Sequence, residues 1–263
     1  MIVSIPASAC LALQAAALWP SLVWAARRTA DGSDEPLGLV ALALLALGAA
    51  SGRLGVQREP RRAWLAVAIV LTCAATALGS TLPPLAVAAV SALALGAAYA
   101  AFRAPRAPWL PVAGLLLLAL PLIASLQFYA GWPLRVVSAE ASRWLLLAGG
   151  LDAVRAGTTL FVAGREVLVD APCSGVQLAW CAWCAACASA LWHRLHDAAF
   201  AARTPLVGAL ALGADVLRNT ALVALEARTL SAPAWLHEAI GLIALACVVL
   251  VVARVVQGGR DAR

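Results

Sequence analysis

Apolar and polar residues alternate along this chain in blocks the length of whole helices. Uninterrupted apolar runs, separated by short clusters of charge and turn residues, predict helices at about 3–25, 37–52, 63–79, 82–102, 109–129, 173–192, 205–225 and 237–256. Most of these runs reach the ~20 residues that cross a hydrocarbon core. The second is short enough to be re-entrant. The breaks carry the expected punctuation at Arg27 to Pro36, Arg53 to Arg62, Leu82-Pro83-Pro84 and Arg103 to Pro108. The pattern predicts an all-α, polytopic integral membrane protein with about eight transmembrane helices. No internal repeat stands out beyond the Ala/Leu monotony, and no soluble domain is expected at either end.

One break differs from the rest. From Gly131 to Asp170 the chain is polar for 40 residues, its longest such segment. Within it, Ala141, Trp144, Leu145 and Ala148 recur at helical spacing between Ser138 and Leu151, opposite Glu140, Arg143 and Asp152. That spacing suits an amphipathic helix lying on a membrane surface. Thr158 to Asp170 reads as two short strands around Ala163-Gly164, a small hairpin. The expected layout is therefore residues 1–129 as N-terminal transmembrane helices, and 130–263 as this loop followed by the C-terminal helices, in one membrane domain.

Composition strengthens the membrane reading. Of the residues, 63% are hydrophobic and 12% charged, and mean hydropathy is +0.91. Soluble domains run nearer half apolar and a quarter charged. All 19 basic residues are arginine, which together with the abundant alanine reads as coding bias in a GC-rich genome. The formal charge of +6 does not indicate nucleic acid, because the arginines are scattered through short loops. The first apolar run lacks a basic start and reads as a retained helix rather than a cleaved signal.

The placement of the arginines also predicts orientation, since short cytoplasmic loops carry excess positive charge. With the N-terminus inside, the inner loops hold eleven arginines and three acids, and the outer loops seven arginines and nine acids. Asp215 and Arg218 remain within the membrane. The long loop then lies on the outer face.

The seven cysteines do not read as a disulfide framework. Cys10, Cys73, Cys181, Cys184, Cys187 and Cys247 fall inside apolar runs, where Cys behaves as a small hydrophobe. The spacing Cys181-x-x-Cys184-x-x-Cys187 is compatible with iron–sulfur ligation. On one straight helix, however, those thiols spread around the barrel with no fourth ligand in view. Only Cys173 stands at a polar-to-apolar boundary, in Val167-Leu168-Val169-Asp170-Ala171-Pro172-Cys173-Ser174-Gly175-Val176-Gln177. A helix start offers unpaired N–H groups and a positive dipole end, both of which favour a thiolate. Pro172 suits a first helical turn, Asp170 an N-cap, and Gly175 a close approach of backbone or substrate.

Two further polar groups fall toward the outer ends of their helices. Arg218 sits in an apolar run, where its insertion costs about 2.5–3.5 kcal/mol. His237 opens the last run. Each has a plain reading alone: Cys173 as packing, Arg218 as a structural ion pair with Asp215 three residues earlier, His237 as an interfacial side chain. Together they outline a site.

The strings Val169-Asp170-Ala171-Pro172-Cys173-Ser174-Gly175-Val176, Asp215-Val216-Leu217-Arg218-Asn219 and His237-Glu238-Ala239-Ile240-Gly241-Leu242 resemble the exosortase/archaeosortase family. The resemblance covers roughly Gln127 to Val256. It implies a polytopic helical membrane enzyme with Cys, Arg and His in that order on the outer face, with Asp170, Ser174, Gly175, Asp215 and Asn219 in support. The family commonly has Asn where this chain has Asp215, which alters the charge beside Arg218 and keeps a hydrogen-bonding partner.

By that resemblance the protein is a cysteine peptidase or transpeptidase of the bacterial inner membrane. It acts at the periplasmic face, without a cofactor or metal. Its partners, besides the lipid bilayer, are secreted proteins bearing a C-terminal sorting signal made of a short motif, a membrane helix and a basic tail. Two rival readings stay open. A transporter would use Asp215, Arg218 and His237 in a membrane pathway, and a structural partner in envelope or polysaccharide assembly would need none of the three.

Overall fold

A computed structural model describes residues 6–168, 175–228 and 233–258, and most of them are helical. The helices are α1 (Ala7–Ala17), α2 (Trp19–Ala30), α3 (Gly38–Ala50), α4 (Arg62–Ala77), α5 (Pro84–Phe102), α6 (Leu110–Leu118), α7 (Ile123–Ala148), α8 (Val176–Trp192), α9 (Asp197–Arg228) and α10 (Ala234–Gln257). Strands β1 (Ala153–Ala156), β2 (Thr159–Val162) and β3 (Arg165–Leu168) lie between α7 and α8. Each predicted apolar run has a helical counterpart. By length and apolarity α5, α9 and α10 are able to cross a membrane, and the number rises to five if the bent pairs α1/α2 and α6/α7 each count as one span. α3, α4 and α8 are apolar but only 13, 16 and 17 residues long, short of the ~20 that span a bilayer.

The chain forms two compact units, residues 1–124 with 187–202, and residues 125–186 with 203–262. The first unit is built on alanine. Ala68 on α4 and Ala97 and Ala98 on α5 are almost wholly buried together, and side chains this small let helices approach closely. α1 and α2 meet at 69°, where Leu18 leaves helical geometry ahead of Trp19-Pro20. Asp197, in the first turn of α9, reaches α6. Its Oδ1 accepts from the Trp109 and Leu110 N–H groups at 2.7 and 2.9 Å, and its Oδ2 accepts from Arg103 at 3.0 Å. A carboxylate at a helix start answers both the orphan donors and the dipole.

In the second unit the segment before α8 differs from the expected one. No separate amphipathic helix begins at Ser138. α7 runs unbroken from Ile123 through Pro133 to Ala148, and the break falls earlier, with a bend of 96° between α6 and α7. Pro121 disfavours helical geometry at the residue before it. Pro133 costs one backbone hydrogen bond, which the buried face of α7 offsets. That face is Ser138, Ala139, Ser142 and Leu146, whereas Trp144 and Leu145, the apolar side expected to meet the membrane surface, are exposed from the protein.

The hairpin around Ala163-Gly164 is present as β2 and β3, in antiparallel register Val162↔Arg165 to Thr159↔Leu168. Both turn residues have positive φ, 52° and 76°, which the two-residue turn requires. β1 is an addition, paired Ala153↔Val162 to Ala156↔Thr159. The inner face of the sheet joins α7, α9 and α10 in one cluster containing Ala139, Leu146, Ala153, Leu160, Val162, Val167, Leu222, Val223 and Ile240.

Candidate active site

α9 carries Asp215, Arg218 and Asn219 at i, i+3 and i+4, so all three share one face. Asp215 is 1% exposed and Asn219 2%. A carboxylate that deep needs partners, and the neighbouring helix supplies one. Ser138 on α7 donates to Asp215 Oδ2 at 2.7 Å, and Asn219 Nδ2 donates to the same oxygen at 3.2 Å. Arg218 Nη2 lies 3.4 Å from Oδ1, with its side chain 13% exposed against 2% for Asp215. The carboxylate is thus the sealed base of the cluster, and the guanidinium is its more open side. Ser142, one turn beyond Ser138, donates to the Val216 carbonyl at 3.3 Å and keeps α7 in register with α9.

Gly175 closes the cluster from the start of α8. Its φ is +74°, and a Cβ there would lie 2.8 Å from Asp215 Cγ and 2.9 Å from Oδ2. Both facts require glycine: the left-handed backbone and the absence of space. The expected close approach at Gly175 is made by a carboxylate of the same chain.

The sheet is tied to the same helix. Arg165 Nη1 donates to the Glu226 carbonyl at 2.8 Å in the last turn of α9, where cations meet exposed carbonyls and the negative dipole end. Arg155 on β1 and Arg143 on α7 both bind Glu140, at 2.6 and 2.7 Å. Arg143 also lies 4.4 Å from the centroid of the Trp144 ring.

The three expected catalytic residues are placed unequally. Arg218, with Asp215, Asn219 and Gly175, is in the cluster. His237 is exposed in the first turn of α10, one turn before Ile240, which packs against the group holding Leu222 and Val223. Cys173, Ser174 and Asp170 lie outside the described residues. Of the three α8 cysteines, Cys184 and Cys187 are buried and Cys181 is partly so. Among the described residues no three His, Cys, Asp or Glu side chains form a group able to hold a metal ion. Sequence reasoning missed Ser138 and Ser142. Their signal was two small hydroxyl residues four apart, on one helix face.

A helical membrane protein with a buried Asp–Arg cluster built on one helix and closed by the start of another is the class that these features define. The chain belongs to the transmembrane exosortase family (Exosortase_EpsH), whose family model matches residues 8–253. That match takes in the N-terminal helices, which by eye resemble the family only as apolar segments. No curated protein and no solved structure matches the chain.

Proposed function

We propose that this protein is a membrane-embedded cysteine peptidase or transpeptidase. It would cleave the C-terminal sorting signals of secreted proteins at the outer face of a bacterial inner membrane, with the eight apolar segments crossing or entering the bilayer. Family membership supports a transpeptidase-type reaction. The observation that carries the reading is Gly175 against Asp215. Cys173 is two residues from Gly175 in the chain, and two peptide units span at most about 7 Å. In this reading the cluster that Gly175 touches, Arg218 included, is what the candidate nucleophile works beside.

In this reading the Cys173 thiolate attacks the scissile carbonyl, forming an S–C bond and a tetrahedral oxyanion. Arg218, the open side of the cluster, stabilises that oxyanion, an effect that grows where water is excluded. His237 gives a proton to the departing amine as the C–N bond breaks, which leaves a thioester on Cys173. It then takes a proton from the water or amine that resolves the thioester. A substrate anchored by its own helix diffuses laterally to a site at the bilayer surface, which accounts for an enzyme held in the membrane.

The test is a pair of cysteine variants assayed with a substrate from the same genome that ends in a short motif, an apolar run and arginines. Cys173→Ala is expected to abolish processing and to abolish labelling by a membrane-impermeant thiol reagent in intact cells. Cys184→Ala, remote from the boundary, is expected to keep both. Wild-type processing by Cys173→Ala would sink the thiol mechanism. If transport of a solute is lost with Arg218 while Cys173→Ser has no effect, the protein is a transporter.

A further inference from the structure

The enzymatic reading leaves open how an extended sorting motif is held beside the nucleophile. The sheet order is β1-β2-β3, so β3 is an edge. The register fixes which of its backbone groups are free of the ladder. Val162 and Arg165 flank the two-residue turn and form a bonded pair, so Arg165 and Val167 face β2 while Glu166 and Leu168 point their N–H and C=O groups away from it. The outer face next to this edge is apolar and uncovered, with Val154 59%, Phe161 41% and Leu168 55% exposed. The opposite edge, β1, is tied through Arg155 to Glu140 on α7.

Natural sheets protect their edges with short strands, charged side chains, proline, bulges or a covering element. β3 is short and carries Arg165 and an exposed Glu166, but it is regular and has no proline to remove its outward N–H groups. It is held rigidly at its start, because Arg165 is hooked to the last turn of α9. Five residues past Leu168 the chain reaches Cys173.

We propose that β3 is the substrate-docking edge. An extended peptide segment of the membrane-tethered substrate, lying just outside its own membrane helix, would add as a fourth strand on Glu166 and Leu168. The proposal rests on the cysteine-peptidase reading and supplies its binding mode. Main-chain pairing would provide affinity, and every second substrate side chain would lie on the Phe161–Leu168 face. The occupant is a peptide rather than a helix because a strand edge offers backbone donors and acceptors, which a helix has already satisfied internally.

Pairing of this kind leaves a signature of period two. Enzyme and a tripartite substrate peptide are reconstituted in phosphatidylethanolamine–phosphatidylglycerol vesicles, and single backbone N-methyl groups are moved along the motif. Methylation at alternate residues is expected to slow processing about tenfold, one lost hydrogen bond each, and at the intervening residues by less than about twofold. On the enzyme, Glu166→Pro and Leu168→Pro remove outward N–H groups without touching the β2–β3 ladder. They are expected to raise KM while leaving thiol-reagent labelling of Cys173 intact. Glu166→Ala, which keeps its N–H, is expected to process at near the wild-type rate. If the proline variants fail to accumulate, the methyl scan on the wild-type enzyme still decides. A scan that is silent, or that loses activity uniformly, overturns the docking edge even where Cys173 forms its thioester. Wild-type processing by Cys173→Ala instead overturns the peptidase reading itself.

Discussion

At the scale of single residues, the informative group is the carboxylate of Asp215, which takes two donors on one oxygen and faces a guanidinium with the other. A carboxylate and a guanidinium in an apolar helix could serve only each other. Several features speak for more: the recruited serine from α7, the glycine pressed against the carboxylate, and the greater exposure of the arginine. Lysine lacks the planar fork needed to hold Asp215 and meet an oxyanion together. Arg218→Lys is therefore expected to insert and fold yet lose about 100-fold in turnover, the usual cost of one oxyanion donor. Replacing both partners with leucine removes two buried polar groups at once, which is often neutral for stability. That double variant is expected to fold and to be inactive. Activity in the double variant, measured on the membrane-tethered substrate, would reduce the pair to scaffolding.

Between elements, the decisive contact is that of Gly175 with α9. Gly175→Ala combines an unfavourable φ of +74° with a Cβ only 2.8 Å from a buried carboxyl carbon. The start of α8 must then shift away from Asp215. The expected result is a protein that unfolds within about 1–3 kcal/mol of the wild type yet processes substrate far more slowly. An enzyme with normal turnover would show that the helix start need not sit on the cluster. Much of this arrangement was legible in the sequence. Apolar runs marked the helices, Ala163-Gly164 marked a hairpin, and Gly175 marked a close approach. Two things were hidden for physical reasons. The continuity of α7 through Pro133 was not visible, because the burial that offsets its lost hydrogen bond comes from a helix some 80 residues later. β1 is four residues, three of them polar or small, and gains its strand character from β2 rather than from its own pattern. The stripe through Trp144 is turned away from the protein, as a membrane-facing side would be, and the face buried in the protein is the one with the serines.

For the whole molecule, we propose from the arginine distribution that the sheet and the cluster lie on the outer side of the membrane. Single cysteines introduced at Val154 and at Arg61 in a Cys173→Ala background, which the reagent does not otherwise label, test this in intact cells. The impermeant reagent is expected to label the first and spare the second, and the reverse pattern would invert the orientation. Asp197 belongs to the first unit and to a different question. Its carboxylate caps α6 across 87 and 88 positions of sequence, and it also holds Arg103. During synthesis α6 therefore leaves the ribosome long before its cap exists, with two donors unanswered. The front of the protein becomes complete only when α9 arrives, so assembly carries a built-in order of events in which the C-terminal half certifies the N-terminal one. Asp197→Ala is expected to cost about 1–2 kcal/mol as a lost cap. In a pulse-chase experiment it should appear as newly made chains that stay protease-sensitive for longer, while those that mature process substrate normally.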